Sequence, residues 1–90
     1  MRAYIIFTRE KTLDEQELAK YAKEAPATLL GHEVKAIAFY GAHEDLEGPV
    51  TEGTVIMEFS NVTAAKAWYE SSLYRKVRER RFNGAIYRSL

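Results

Sequence analysis

The densest group of residues able to move a proton is His43, Glu44, Asp45 and Glu47. An imidazole beside a carboxylate can act as general base or acid near neutral pH. The group follows a strand-like segment, where a loop can overhang a pocket. The competing reading is a solvated acidic loop, from which only His43 and Glu47 turn inward readily. No second histidine stands at helical spacing, and His32 lies beyond a whole strand, so no metal site is expected.

Glu58 is a different kind of acid. It sits between Met57 and Phe59, on the strand face shared with Thr54 and Ile56. A half-buried carboxylate either serves as a tuned acid or base, or is held in an ion pair or dimer contact. Lys35 and the arginines of the second helix are the expected partners. The aromatics Tyr4, Tyr21, Tyr40, Trp68, Tyr69 and Tyr74 are many for a chain of 90 residues. Tyr21 and Trp68 fall on helix faces that should pack on the sheet, where buried hydroxyls need partners or orient a ligand. Core packing is the alternative for each. Arg75, Lys76, Arg78, Arg80 and Arg81 place five cations in seven residues near a helix C-terminus, which favours the helix dipole and reads as a solvated face.

The elements that must position these groups follow from periodicity. Residues 2–9 alternate as a strand, with Ile5 and Phe7 on one face and Tyr4, Ile6 and Thr8 on the other. Thr12 with Glu15 forms a capping box for a first helix, whose apolar stripe is Leu18, Tyr21, Ala22 and Ala25. Pro26 ends or kinks it, and Leu29-Leu30-Gly31 reads as its exit. Residues 34–41 form a second strand, 42–53 a polar connection and 54–59 a third strand. Asn61 caps a second helix carrying Ala65, Trp68 and Tyr69. Ser71-Ser72 can interrupt it before Leu73, Tyr74, Val77 and Arg81 resume helical spacing. Asn83-Gly84 is a turn signal, and 85–90 reads as a fourth strand.

The order β-α-β-β-α-β predicts an α+β, ferredoxin-like sandwich with a four-stranded antiparallel sheet, one domain over residues 1–90. Two helices cover one sheet face only. Strands apolar on both faces therefore predict a homodimer packed sheet to sheet. Thirteen basic and thirteen acidic side chains cancel, which argues against nucleic acid or anionic membrane as partner. The absence of cysteine excludes a disulfide scaffold, a thiol nucleophile and thiolate metal sites. The apolar stretch in MRAYIIFTRE is too short for a signal peptide, and no run could span a bilayer, so a cytoplasmic protein is expected. No phosphate-binding loop, dinucleotide fingerprint or hydrolase elbow occurs.

The run Glu58-Phe59-Ser60-Asn61-Val62-Thr63-Ala64-Ala65-Lys66-Ala67-Trp68-Tyr69, with Ser71 and Tyr74 after it and Leu46-Glu47-Gly48 before it, resembles the family of domain of unknown function 1330. The resemblance implies membership of the dimeric α/β-barrel superfamily and a homodimer. Two departures stand out. Phe39-Tyr40-Gly41-Ala42 replaces the family's usual Arg-Gly-Gly, removing the obvious anion-binding arginine, and Ser60 replaces a proline before the helix cap.

Fold kinship alone supplies no reaction. The first expectation is a small organic ligand bound, or converted by cofactor-free proton transfer of the isomerase, lyase or cyclase kind, in a helix–sheet pocket. His43, Glu58 and Glu47 are the candidate acid–base residues; Tyr21, Tyr40, Trp68, Ser71 and Tyr74 are the candidates for holding substrate. Such a pocket should measure about 300 Å³ or more, walled by Tyr21 and Trp68 with a carboxylate or His43. A non-enzymatic structural or regulatory dimer is the alternative, with a filled core. Haem or flavin handling, or cofactor-free monooxygenase-like chemistry, is the third, and the haem or flavin form needs His43 or His32 in the pocket.

Overall fold

The structure, a computed structural model, describes residues 1–89. Alternating apolar side chains make Ala3–Thr12 a long strand, β1, with Ile5 and Phe7 buried and Tyr4 and Ile6 on the opposite face. The other strands are β2 (Val34–Phe39), β3 (Gly53–Phe59) and β4 (Ala85–Ser89). They form one antiparallel sheet in the order β2-β3-β1-β4, so β3 and β1 lie at its centre. Gly53, Val55, Met57 and Phe59 of β3 are all buried, while the residues between them are only partly so.

Three helices cover the buried face. They are α1 (Glu15–Glu24), which runs into a 3₁₀ segment at Ala25–Leu29, α2 (Val62–Tyr69) and α3 (Ser72–Gly84). Asn61 caps α2 by accepting from the Ala64 N–H at 2.7 Å, as expected. The Ser71-Ser72 interruption is a true boundary. Ser71 caps α3 through the Tyr74 N–H (3.3 Å), while its hydroxyl donates to the Trp68 carbonyl (2.7 Å) and fixes the angle between α2 and α3. The expected β-α-β-β-α-β order holds, with the second helix split in two.

Two local expectations are corrected. The α1 cap is Asp14, not Thr12: the Asp14 carboxylate accepts from the Gln16 and Glu17 N–H groups (2.9 and 3.2 Å). Thr12 is unavailable because β1 extends through it to pair with Ala85. Asn83-Gly84 is no turn but the last of α3. The Gly84 carbonyl accepts from the N–H groups of both Leu13 and Asp14 (2.7 and 2.9 Å), tying the end of α3 to the start of α1. A side chain there would meet Leu18 at 2.8 Å, so close approach, not turn geometry, asks for glycine. The second strand also ends earlier than expected, at Phe39, and the final position assigned to β4, Leu90, lies outside the described residues.

The core joins Phe7, Val55, Met57 and Phe59 to Ala65, Trp68 and Tyr74. Trp68 stacks on Phe59 and, more closely, on Tyr74, with ring centroids 5.9 and 4.0 Å apart. Its indole N–H donates to the buried Thr28 hydroxyl at 3.1 Å, so the 3₁₀ segment is pinned to α2. The other sheet face carries no helix. It presents Tyr4, Ile6, Thr8, Thr54, Ile56 and Glu58. No described helix is long and apolar enough to cross a membrane.

Candidate functional site

A cavity of about 150 Å³ lies between the sheet and the α1–3₁₀ layer. Its floor is Phe7, Val55 and Met57; Leu18, Tyr21, Ala25 and Leu29 form the helical wall, and Trp68 closes one side. Three of the four expected stripe positions, Leu18 and Tyr21 of α1 and Ala25 at the start of the 3₁₀ segment, are half-buried, and all four line the cavity, the stripe turning a helix face toward the sheet as its spacing requires. Phe39 is exposed and lines the same cavity at its open side.

The polar groups are unusual for so apolar a space. The Tyr21 and Tyr74 hydroxyls bond each other at 2.7 Å, and the Tyr40 and Tyr87 hydroxyls form a second bonded pair. Burial, with help from the neighbouring Tyr74 hydroxyl, pushes the Tyr21 phenol well above its ordinary range, and the Arg81 charge opposes only part of this. Burial and the bond to Tyr87 do the same to Tyr40, and burial does it to Tyr74. All three are neutral hydrogen-bonding groups at physiological pH.

Tyr40 reaches the cavity by an uncommon route. It has φ +49°, a left-handed conformation that an aromatic residue adopts at a cost of about 1–3 kcal/mol. The preceding strand has a bulge between Ala36 and Ala38, where its register against β3 shifts. Through the bulge and the left-handed residue, both Phe39 and Tyr40 line the cavity. The ring of Tyr40 then lies on Gly53, where any Cβ would come within 2.6 Å of it. Arg9 also packs against that ring, its guanidinium 4.9 Å from the centroid. Arg9 Nε also stands 3.0 Å from Glu52 Oε1, an ion pair by distance without hydrogen-bond alignment.

The decisive group is Arg81. It lies in the run of cations expected to form a solvated face, yet it is only 3% exposed and lines the cavity. Its guanidinium packs against the rings of Phe7, Phe82 and Tyr87 at 4.8, 4.8 and 5.2 Å. One nitrogen, Nη1, donates to the Ser89 hydroxyl at a long 3.4 Å. The other two, Nε and Nη2, have no partner among the described residues.

Residues 2–90 match the family described as domain of unknown function (DUF1330). The chain belongs to that family. The fold is also similar to the crystal structure of RPA0582, a protein of unknown function from Rhodopseudomonas palustris. That likeness has a TM-score of 0.74 at 16% identity, covering 99% of this chain and 78% of that one. Methylated RPA0582 gives 0.71 at 15% identity with the same coverage. At such identities the likeness concerns the fold alone. No match is found among the curated proteins.

In this DUF1330 domain the residues singled out from sequence separate into two groups. Tyr21, Tyr40 and Trp68 line the cavity, and Tyr74 backs it through the hydroxyl of Tyr21. Ser71 acts as a helix cap. His43, Glu47 and Glu58 lie elsewhere. The imidazole Nε2 of His43 sits 3.0 Å from the Thr51 carbonyl and 3.2 Å from the Thr51 hydroxyl, within the connection between β2 and β3. Asp45 accepts from the same Thr51 hydroxyl and N–H (2.7 and 3.2 Å), which holds its carboxyl below the usual range. Glu44 and Glu47 are exposed on this loop, and no group of three potential metal ligands gathers among the described residues. Glu58 is on the uncovered sheet face, 3.5 Å from Arg2 Nε and beside Lys35 in register. Glu58 does form an ion pair, but with Arg2 in place of the expected Lys35 or second-helix arginine. His32 is also absent from the cavity lining.

Sequence reasoning missed Arg81, Tyr87 and Gly53. A signal for Arg81 exists: it follows Tyr74 and Val77 at the spacing of a buried helix stripe.

Proposed function

We propose that this DUF1330 domain binds a small organic molecule, about the size of one aromatic ring, between its helices and its sheet. The observation that carries the reading is the cavity itself, apolar in its walls and furnished with two tyrosine hydroxyl pairs. Its volume is about half that expected for a drug-sized ligand. An apolar space near 150 Å³ suffices for benzene. Binding is favoured over proton transfer because the described lining contains no carboxylate and no imidazole. What the walls offer is a guanidinium and neutral phenols, groups that orient a ligand and donate to it.

We further propose that a second copy of the chain covers the open sheet face. Tyr4 and Ile86 lie about half exposed there, and Ile6 and Ile56 pair with each other on the same face. Lys35 lies beside Glu58, so a two-fold arrangement can set each charge opposite its complement. A monomer mass by light scattering would remove the dimer from this reading.

Trp68 is the single tryptophan and forms a cavity wall, so its emission reports on the site directly. Titration with neutral single-ring compounds, benzamide among them, is expected to change that emission saturably and raise the melting temperature. Ala25→Leu, which fills the space from the helical wall, should abolish both changes. Unchanged emission across the set, or binding that survives Ala25→Leu, would overturn the reading.

A further inference from the structure

Arg81 poses a problem that the cavity alone does not. Its guanidinium stays charged at any physiological pH, so burial cannot be relieved by losing a proton. An unpaired buried charge costs several kcal/mol even after relaxation. The rings of Phe7, Phe82 and Tyr87 offset part of that cost through their electron-rich faces. Ring faces supply no lone pair, however, and leave the N–H edge of the group to other partners.

That edge is where the unpartnered atoms lie. By covalent geometry, the Nε–H and one Nη2–H of a guanidinium point the same way, side by side, at the spacing of two carboxylate oxygens. These two nitrogens are the ones left without a partner among the described residues, while Nη1 is turned to Ser89. None of the described acidic side chains forms an ion pair with Arg81, although Arg9, Arg78, Arg80 and Arg88 each have at least one. A paired donor edge is therefore buried, closed to solvent and without a protein oxyanion among the described residues.

The hydroxyls around it complete the specification. Arg81 acts by its charge on Tyr21, Tyr40 and Tyr74, and it also stands against the Tyr74 hydroxyl, without the alignment of a hydrogen bond. Neutral phenols near a guanidinium can donate to a second lone pair of an oxyanion. Aromatic and aliphatic walls, Trp68, Phe7, Leu18 and Met57, leave room for an apolar body but offer it no hydrogen bonds.

We infer that the ligand of this cavity is a small monocarboxylic acid, its carboxylate held bidentately by Nε and Nη2 of Arg81 and its ring or short chain lying against Trp68. The inference rests on the cavity being a ligand site and adds the chemical class of the ligand.

The test compares benzoate with benzamide, which share a shape and differ in charge. Trp68 emission and amide chemical shifts are read on the natural chain, on Arg81→Met and on Arg81→Lys. Benzoate is expected to bind at least about tenfold more tightly than benzamide to the natural chain, the scale of one charge-assisted bond. Arg81→Met should erase that preference while benzamide still binds, and Arg81→Lys, which keeps a charge but loses the fork, should retain only a small part of it. Should Arg81→Met fail to fold, the comparison on the natural chain and Arg81→Lys still decides. Equal affinity for the two compounds, or a preference untouched in Arg81→Lys, overturns the carboxylate inference and leaves the cavity reading standing. If neither compound binds, both fall.

Discussion

The loop around His43 and the cavity around Arg81 are opposites in how they are written and in what they become. The loop gathers His43, Glu44, Asp45 and Glu47 side by side in sequence, and folding pairs His43 and Asp45 with Thr51 and leaves the rest in solvent. The cavity draws Phe7, Tyr21, Tyr40, Trp68, Arg81 and Tyr87 from most of the elements, and leaves two guanidinium nitrogens without partners among the described residues. Residues crowded by sequence alone can satisfy one another locally. Residues crowded by packing are held where the scaffold needs them, including in arrangements they would not choose. Unsatisfied polarity in a rigid, buried setting is therefore the better pointer to function than density along the chain.

The comparison breaks first if the cavity wall is not structural. Trp68→Ala should cost about 3–5 kcal/mol, because a fully buried ring stacked on Phe59 and Tyr74 and bonded to Thr28 leaves a void that cannot collapse. Urea denaturation followed by circular dichroism measures it; a loss under about 1 kcal/mol would mean that the wall is loosely packed.

The next effect is seen in alkali. The phenols of Tyr21, Tyr40 and Tyr74 are raised in the folded chain, so above pH about 10 the unfolded chain releases protons that the folded chain retains. Stability is then fully present below that value and falls above it, by up to about 1.4 kcal/mol per pH unit for each tyrosine. Urea midpoints at increasing pH should show this fall, and Tyr21→Phe should make it shallower. An identical slope in Tyr21→Phe would remove Tyr21 from the buried set.

The smallest effect sharpens the other side. His43→Ala should change stability by no more than about 0.5 kcal/mol and leave benzamide binding unaltered, since the imidazole sits in an outer loop bonded to Thr51. A tenfold loss of affinity in that variant would move the loop into the site.

Much of the scaffold was legible because it obeys short periods. The two-residue alternation of β1 placed Ile5 and Phe7 inward, and the three-and-four spacing of α1 placed Tyr21 on the cavity. Asn61 announced α2, and Ser71-Ser72 announced the break before α3. Thr12 misled because a capping signature is local, whereas pairing with Ala85 is not. Asn83-Gly84 misled because glycine answers equally to a turn and to a close approach, here by Leu18. The site was less legible still. That Arg81 is buried depends on Phe7, Phe82 and Tyr87 meeting around it, and that Tyr40 turns inward depends on a bulge at Ala36–Ala38 and a bare position at Gly53. Neither is a periodic property of any one segment.

The order of the strands bears on how the chain is made. β1 is synthesised first but sits inside the sheet, between β3 and β4. Its residue Arg9 finds Gly53 and, later still, Tyr87, so the strand stays without either neighbour while most of the chain emerges. At ribosomal speeds that wait lasts on the order of seconds, far longer than a helix or hairpin takes to form. Only α1 precedes the strands that pack on β1, so it can form before any sheet exists to receive it. Phe7, at the centre of the cavity floor, spends that interval as a bare apolar side chain on an unpaired edge, and it is there that a nascent chain of this design is most exposed to wrong partners.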